Sequence, residues 1–320
     1  PTPVGAMLSN RHLGGALAQG CRQYSVRVAS KGKPRRSVLF LPGSNARALE
    51  KAKKLPADVI AIDLEDAVAP EMKPAARTAA ANAVLAGFGS RESVVRLNGV
   101  DTEWFEKDLE EICRAKPSAI ILPKVQGGET ISDVCKAMDK MGVPEHIGIW
   151  AMIETPFGVL RAEDIAKAGQ SRMETMVMGT SDLTKDLRSK HVPSRVPLLY
   201  SLSHCLMCSR AYGVMALDGV CLDLHDSDEL ELQCRDATAM GFDGKTLIHP
   251  KQIEPANRIF APTEAQVDLS KEIISAFSKA LEKGSNVVVV QGKLIENLHV
   301  ENARRIISMD EAIKAKMADA

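Results

Sequence analysis

Two carboxylates close apolar runs in this chain: Glu154 ends IGIWAMIET (147–155), and Asp182 lies in TMVMGTSDL (175–183). A hard cation such as Mg2+ wants about six oxygens and commonly takes one or two from protein carboxylates, leaving the others to water and substrate. Such a pair suits a substrate with adjacent hydroxyl, keto and carboxylate oxygens. The plain alternative is that each carboxylate caps the helix following it. The seven histidines are dispersed, so no zinc set competes. Asp63-Leu64-Glu65-Asp66 places three acids in four residues, which cannot lie close together without neutralisation. Arg96, in VVRLN, offers a planar fork for a substrate carboxylate. It could equally form a structural ion pair with those acids. Arg47 and Lys51, i,i+4 neighbours after Pro42-Gly43-Ser44-Asn45, suit either the phosphates of a large anionic cofactor or a solvated helix face. Lys124 and Lys245 are weaker candidates, because lysines near strand ends are common.

What must position these residues is a repeating element. Eight short apolar runs recur: 37–44, 58–66, 93–99, 118–125, 147–155, 175–183, 213–220 and 245–253. Stretches with helical periodicity separate them, as β-α-β crossovers require. Eight such units predict a (β/α)8 TIM barrel, whose C-terminal strand ends carry the active site. Asp63, Glu65, Asp66, Arg96, Lys124, Glu154, Asp182 and His249 would then converge on one mouth. Helices are expected over 72–86, 103–115, 129–141, 159–168, 196–212 and 228–240, with Gly142, Gly169, Gly213 and Gly241 just past four of them. Asn45 is the expected cap of one helix, and Ser227 or Asp228 of another. Beyond the barrel come a helix over 263–283, a strand over 286–290, a Gln291-Gly292 turn, a strand over 293–295 and a helix from about 299 to 317. A barrel is closed at eight strands, so this extension needs another surface, and a neighbouring subunit of a homo-oligomer would provide one.

The division expected is a basic leader over 1–36, a barrel over 37–262 and an extension over 263–320. The leader holds seven Arg or Lys and no acid, the composition of an organellar transit segment. Met7 fits an initiator and Arg22-Gln23-Tyr24-Ser25 resembles a mitochondrial processing site, so a mitochondrial location is expected, with the cytoplasm as the alternative. The 41 basic and 41 acidic residues create no global field for nucleic acid, and no run of 18 apolar residues could cross a membrane. Of seven cysteines, Cys205 and Cys208 stand i,i+3 on an apolar helical stretch without a second pair, the pattern of buried reduced thiols. Ala239 to Thr246 mimics a P-loop. It runs helix, turn, strand, which aims the backbone amides the wrong way for phosphate.

Taken in order, FLPG, DLEDAV, VRLNG, LPKV, MIETP, GTSDL and GKTLIHPKQI resemble the citrate lyase beta subunit-like branch of acyl-CoA lyases in the HpcH/HpaI aldolase superfamily, with its malyl-CoA, methylmalyl-CoA and citramalyl-CoA lyases. The resemblance spans about residues 35–310. It implies a trimeric or hexameric barrel that uses Mg2+ and cleaves a 3-hydroxyacyl-CoA to acetyl- or propionyl-CoA plus glyoxylate or pyruvate. It further implies Glu154 and Asp182 as metal ligands and Arg96 on the oxo-acid oxygens, with Phe40, Arg47, Lys51, Ile248 and His249 contacting the CoA thioester. The extension would deliver an acid to a neighbour's site. Relatives often carry Asp in a G-x-M-I-D stretch where this chain has Gly292-Lys-Leu-Ile-Glu296, one methylene, about 1.5 Å, longer. The rival expectations are a citrate lyase subunit working on an acyl-carrier thioester, a malyl-CoA thioesterase or malate synthase, and a non-catalytic binder of CoA esters.

Overall fold

Runs rich in Val, Ile and Ala without alternation are strands buried on both faces, which parallel sheets require. In the computed structural model, which describes residues 33–168 and 172–318, eight of them close a parallel barrel in sequence order. The strands are β1 (Ser37–Pro42), β2 (Val59–Asp63), β3 (Glu92–Arg96), β4 (Ala119–Leu122), β5 (Gly148–Ile153), β6 (Met173–Met178), β7 (Met215–Asp218) and β8 (Gly244–Leu247). β8 returns to β1 through Val38 opposite Thr246. This is the expected (β/α)8 fold.

The helical layer comprises α1 (Ala46–Ala52), α2 (Lys73–Ala86), α3 (Phe105–Ala115), α4 (Gly128–Lys140), α5 (Pro156–Leu160), α6 (Ala162–Ala168), α7 (Thr180–Asp186), α8 (Leu199–Ala211), α9 (Ser227–Met240) and α10 (Ile253–Phe260). Gly142, Gly213 and Gly241 have the left-handed φ of helix-ending residues, while Gly169 lies outside the described residues. Asn45 caps α1, its side chain accepting from the Ala48 N–H at 3.0 Å. The cap of α9 is Asp226 rather than Ser227 or Asp228: Asp226 Oδ1 accepts the N–H groups of Asp228 and Glu229, both at 2.9 Å. The P-loop mimic indeed runs from α9 through Gly241 into β8.

Two hydrophobic cores result. The larger lies between the sheet and the helices, and the smaller fills the barrel with Val38, Val59, Ala61, Val94, Ala119, Ile121, Trp150, Met152, Val177 and Leu217. The N-terminal end of the barrel overturns one expected boundary. Arg35 and Arg36, read from composition as leader, are 2% and 7% exposed. Arg35 donates to Glu92 at 2.7 and 3.1 Å, to Glu174 at 2.7 Å and to Thr175 at 2.8 Å, and lies 4.6 Å from the Trp150 ring centroid. Arg36 grips Asp58 through Nε and Nη2 at 2.8 and 3.0 Å. The fold therefore includes the last part of the 1–36 segment. The transit expectation rests on residues 1–32, which lie outside the described residues.

The extension is α11 (Glu264–Glu282), β9 (Val288–Val290), β10 (Lys293–Ile295) and α12 (Asn297–Ala318). It has a small core of its own, Phe277, Val290, Ile295 and Val300. It also reaches this chain's barrel, where Lys316 Nζ donates to the Asp58 carbonyl at 2.7 Å. No helix among the described residues is long and apolar enough to cross a membrane.

Candidate active site at the C-terminal mouth

β2 and β3 end side by side, Asp63 opposite Arg96 in register, which sets the first layer of the site. Arg96 presents its fork to Asp63, Nε to Oδ1 at 2.7 Å and Nη2 to Oδ2 at 2.6 Å. The Asp63 oxygens also accept the N–H groups of Glu65 at 2.8 Å and Ala67 at 3.1 Å. Asp63 is thus spent as an anchor. Burial works against its charge, but Arg96 and the two amides hold its carboxyl below the usual range. Burial likewise opposes the charge of Arg96, yet Asp63 and Glu65 keep it firmly protonated. The structural ion pair weighed for Arg96 is therefore present, and it leaves Nη1 outside the Asp63 fork. Nη1 lies 2.9 Å from Glu65 Oε2, which has no aligned hydrogen bond, and 3.7 Å from Met152 Sδ. The Phe40 ring centroid is 5.4 Å from the guanidinium carbon.

Glu154 follows β5 directly and is 2% exposed. It does not cap α5, a role taken by Thr155, whose hydroxyl accepts the Gly158 N–H at 3.0 Å. Instead, Glu154 Oε1 accepts the Lys124 N–H at 2.7 Å. Lys124 adopts φ 51°, a left-handed conformation uncommon for a residue with a side chain, and it hydrogen-bonds Glu65 Oε1 through Nζ. One strained residue thus serves two of the carboxylates. Burial, then the neighbouring Glu65 charge, pushes the Glu154 carboxyl up to about 7; Arg96 and the Lys124 amide oppose the rise, and Asp182 adds to it. Burial also raises Glu65 against Arg96 and Lys124.

Asp182 sits in the first turn of α7 rather than at the end of a strand, and its side chain makes no capping hydrogen bond. A Cβ on Gly179, the residue that opens this turn, would lie 2.3 Å from Glu154 Cβ, so glycine is what lets the β6 end lie against Glu154. Among the described residues, no three His, Cys, Asp or Glu side chains form a metal cage. Two carboxylates in mutual electrostatic reach, one of them lifted by burial, then by the charge of Glu65 and to a lesser extent that of Asp182, are a donor set of the kind that Mg2+ takes from protein. A divalent cation there would relieve that repulsion, so the residues fit one.

The other expected residues surround this centre. Arg47 and Lys51 are exposed on α1, just past the C-terminal end of β1, and neither has an ion pair among the described residues. Ile248 and His249 follow β8; Ile248 is 39% exposed, and His249 Nδ1 accepts the Lys251 N–H at 3.1 Å. Gln252, absent from the expected set, fixes this segment by accepting the N–H groups of Ile248 at 2.9 Å and His249 at 3.2 Å. Lys245, a weak candidate, is fully buried against Asp218 Oδ2 and the Gly219 carbonyl, both at 2.6 Å, and Arg195 holds the other Asp218 oxygen at 2.6 Å. Lys245 is structural. Glu296 is exposed, and its N–H donates to His299 Nδ1 at 3.0 Å. A cleft of about 690 Å³ at the opposite end of the barrel is lined by Arg36, Asp58, Lys271 and Lys316 among others, and holds none of this machinery.

Comparison with known proteins identifies the family. A (3S)-malyl-CoA thioesterase of Cereibacter sphaeroides is 44% identical over 289 residues, covering 90% of this chain and 99% of that protein. The citrate lyase subunit beta of Escherichia coli is 32% identical over 287 residues, covering 88% and 95%. Among solved structures, the protein CitE from Mycobacterium tuberculosis, in complex with magnesium, acetoacetate and coenzyme A, superposes with a TM-score of 0.71 at 26% identity, covering 88% of this chain and 99% of that one. The model of the HpcH/HpaI aldolase/citrate lyase family matches residues 36–250, and the chain belongs to that family.

Proposed function

We propose that this chain is a Mg2+-dependent carbon–carbon lyase that cleaves a 3-hydroxyacyl-CoA (malyl-CoA, methylmalyl-CoA or citramalyl-CoA) reversibly to acetyl- or propionyl-CoA plus glyoxylate or pyruvate. The observation that carries the reading is that Arg96, Glu154 and Asp182 stand at or just past the C-terminal ends of β3, β5 and β6, around one barrel mouth. Glu154 and Asp182 would hold the cation, and a cation there supplies Lewis acidity toward the substrate hydroxyl and carboxylate. Arg96, anchored by Asp63, turns Nη1 to the negative charge that develops on the oxo-acid oxygens. Phe40, beside that guanidinium, closes one wall around the thioester arm. Arg47 and Lys51, unpaired and past the end of β1, suit the phosphates of CoA, with Ile248 and His249 flanking the same arm.

In the cleavage direction a carboxylate base takes the hydroxyl proton, the adjacent C–C bond breaks, and its electron pair moves to the carbon beside the thioester. A carboxylic acid must return a proton to that carbon. Glu296 is our candidate, contributed by a neighbouring subunit of a homotrimer or hexamer. Its hairpin carries Val289 and Leu294 opposite each other, 65% and 55% exposed, an apolar face suited to a second copy. Thioester hydrolysis is the second reading, favoured by the name of the Cereibacter relative.

Incubation of the purified chain with Mg2+ and malyl-CoA or citramalyl-CoA, following oxo acid and free CoA separately, decides between the two. Oxo acid without free CoA is expected. Free CoA without oxo acid would replace lysis by hydrolysis, and neither product would remove both.

A further inference from the structure

Lys73 begins α2, a place where lysine ordinarily points to water, yet it is only 6% exposed. Its Nζ donates to the Leu64 carbonyl at 2.9 Å, the Glu65 carbonyl at 2.9 Å and Asn98 Oδ1 at 2.6 Å, and lies 5.0 Å from the Trp104 ring centroid. An ammonium has three protons, so this one is saturated and has none left for substrate. Two of its acceptors belong to the backbone between Asp63 and Asp66, the acids that surround Arg96. The third belongs to Asn98, two residues beyond Arg96. Asn98 in turn donates through Nδ2 to Asp108 Oδ2 at 2.6 Å, and Asp108 Oδ1 takes Arg77 Nε at 2.6 Å.

We propose that Lys73 is the positioning residue for Arg96. It ties the Leu64–Glu65 backbone to the segment after β3, so that Asp63 and Glu65 meet the guanidinium from fixed directions. Without it, the Asp63–Asp66 segment loses its only buried cationic tether besides Arg96 itself among the described residues, and the fork on Asp63 becomes intermittent. The catalytic consequence rests on the proposed function of Arg96, but the tether does not, and the experiment separates them.

The test follows hydrogen exchange of the Arg96 Nε–H in 15N-arginine-labelled protein, with its resonance assigned through Arg96→Lys. Lys73→Met should speed that exchange about tenfold or more, while the Arg172 Nε–H, bonded to Asp139 on the far side of the barrel, stays unchanged. Unaltered Arg96 exchange in folded Lys73→Met would overturn the proposal. Should that variant not fold, Trp104→Leu removes the aromatic face from the same ammonium and should speed exchange about threefold; no change would again overturn it. In turnover, Lys73→Met should raise the oxo-acid KM about tenfold in the condensing direction and leave the CoA-ester KM alone. If the native protein turns over no CoA ester, the functional reading fails while the exchange rates still decide the tether.

Discussion

Glu154→Gln should make the metal-free protein more stable at alkaline pH. The carboxyl is 2% exposed, and burial, then the charge of Glu65 and to a lesser extent that of Asp182, lifts it to about 7 from an ordinary 4.5. That gap corresponds to about 3 kcal/mol of preference for the neutral form in the folded state. The sign follows from a raised acid: the folded state gains below pH 4.5, where both states are protonated, and loses this advantage as pH rises through about 7. Glutamine stays neutral throughout, and its Oε1 can still accept the Lys124 N–H that Glu154 takes at 2.7 Å. Wild type and variant should therefore have nearly equal stability at pH 4.5, and the variant should melt higher by roughly 5–10 °C at pH 8. Thermal unfolding in chelator across this range is the assay. Adding Mg2+ at pH 8 should raise the wild-type melting temperature and leave the variant unmoved. A stability difference that does not change between pH 4.5 and 8 would refute the reasoning, because the repulsion would then be absent.

Three further outcomes follow from the same contacts. Gly179→Ala places a Cβ 2.3 Å from Glu154 Cβ, so Mg2+ affinity by calorimetry should fall at least about tenfold in a protein that keeps its circular dichroism. Arg47→Ala and Lys51→Ala should each raise the CoA-ester KM about tenfold with kcat unchanged, since both cations are unpaired and remote from the reacting bond. Arg35→Met removes the buried guanidinium that Glu92 and Glu174 share beside Trp150, and should cost about 3–5 kcal/mol in urea unfolding while sparing the activity of the folded fraction.

The barrel was legible because most strands hold a short apolar stretch, as in VLFL, VIAI, AIIL and IWAMI, and a parallel closed sheet buried on both faces favours that pattern. Glu154 was legible for the same reason: it follows six buried residues. Asp182 was read correctly as a mouth residue but assigned to a strand end, because GTSD prolongs the apolar run; the strand stops at Met178 and α7 begins at Thr180. The start of α7 was absorbed into the run over 175–183, and α10 was given no element, the run over 245–253 ending where it begins; both are too short to show helical periodicity. Similarly, the expected helix over 159–168 is two helices, broken at Arg161.

Charge was harder to read than hydrophobicity. Arg35 and Arg36 looked like the end of a basic leader, since nothing local marks a cation that will be neutralised by Glu92 or Asp58 decades of residues away. Nothing local marks the burial of Lys73 either. Its acceptors are two carbonyls and an amide oxygen, groups that composition cannot announce. The Lys124 conformation is likewise invisible in sequence: nothing about lysine suggests φ 51°, and the strain is tolerated where its amide meets Glu154 and its ammonium meets Glu65.

The central claim is that Glu154, Asp182 and Arg96 form the reaction centre for a CoA ester. The most direct measurement is Mg2+-dependent oxo-acid formation from malyl-CoA and citramalyl-CoA by wild type and by Glu154→Gln, with the fold of each checked by its melting curve. Wild-type turnover that falls more than about 100-fold in a stably folded Glu154→Gln is expected. Turnover preserved in the variant, or unaffected by chelator in the wild type, would contradict it.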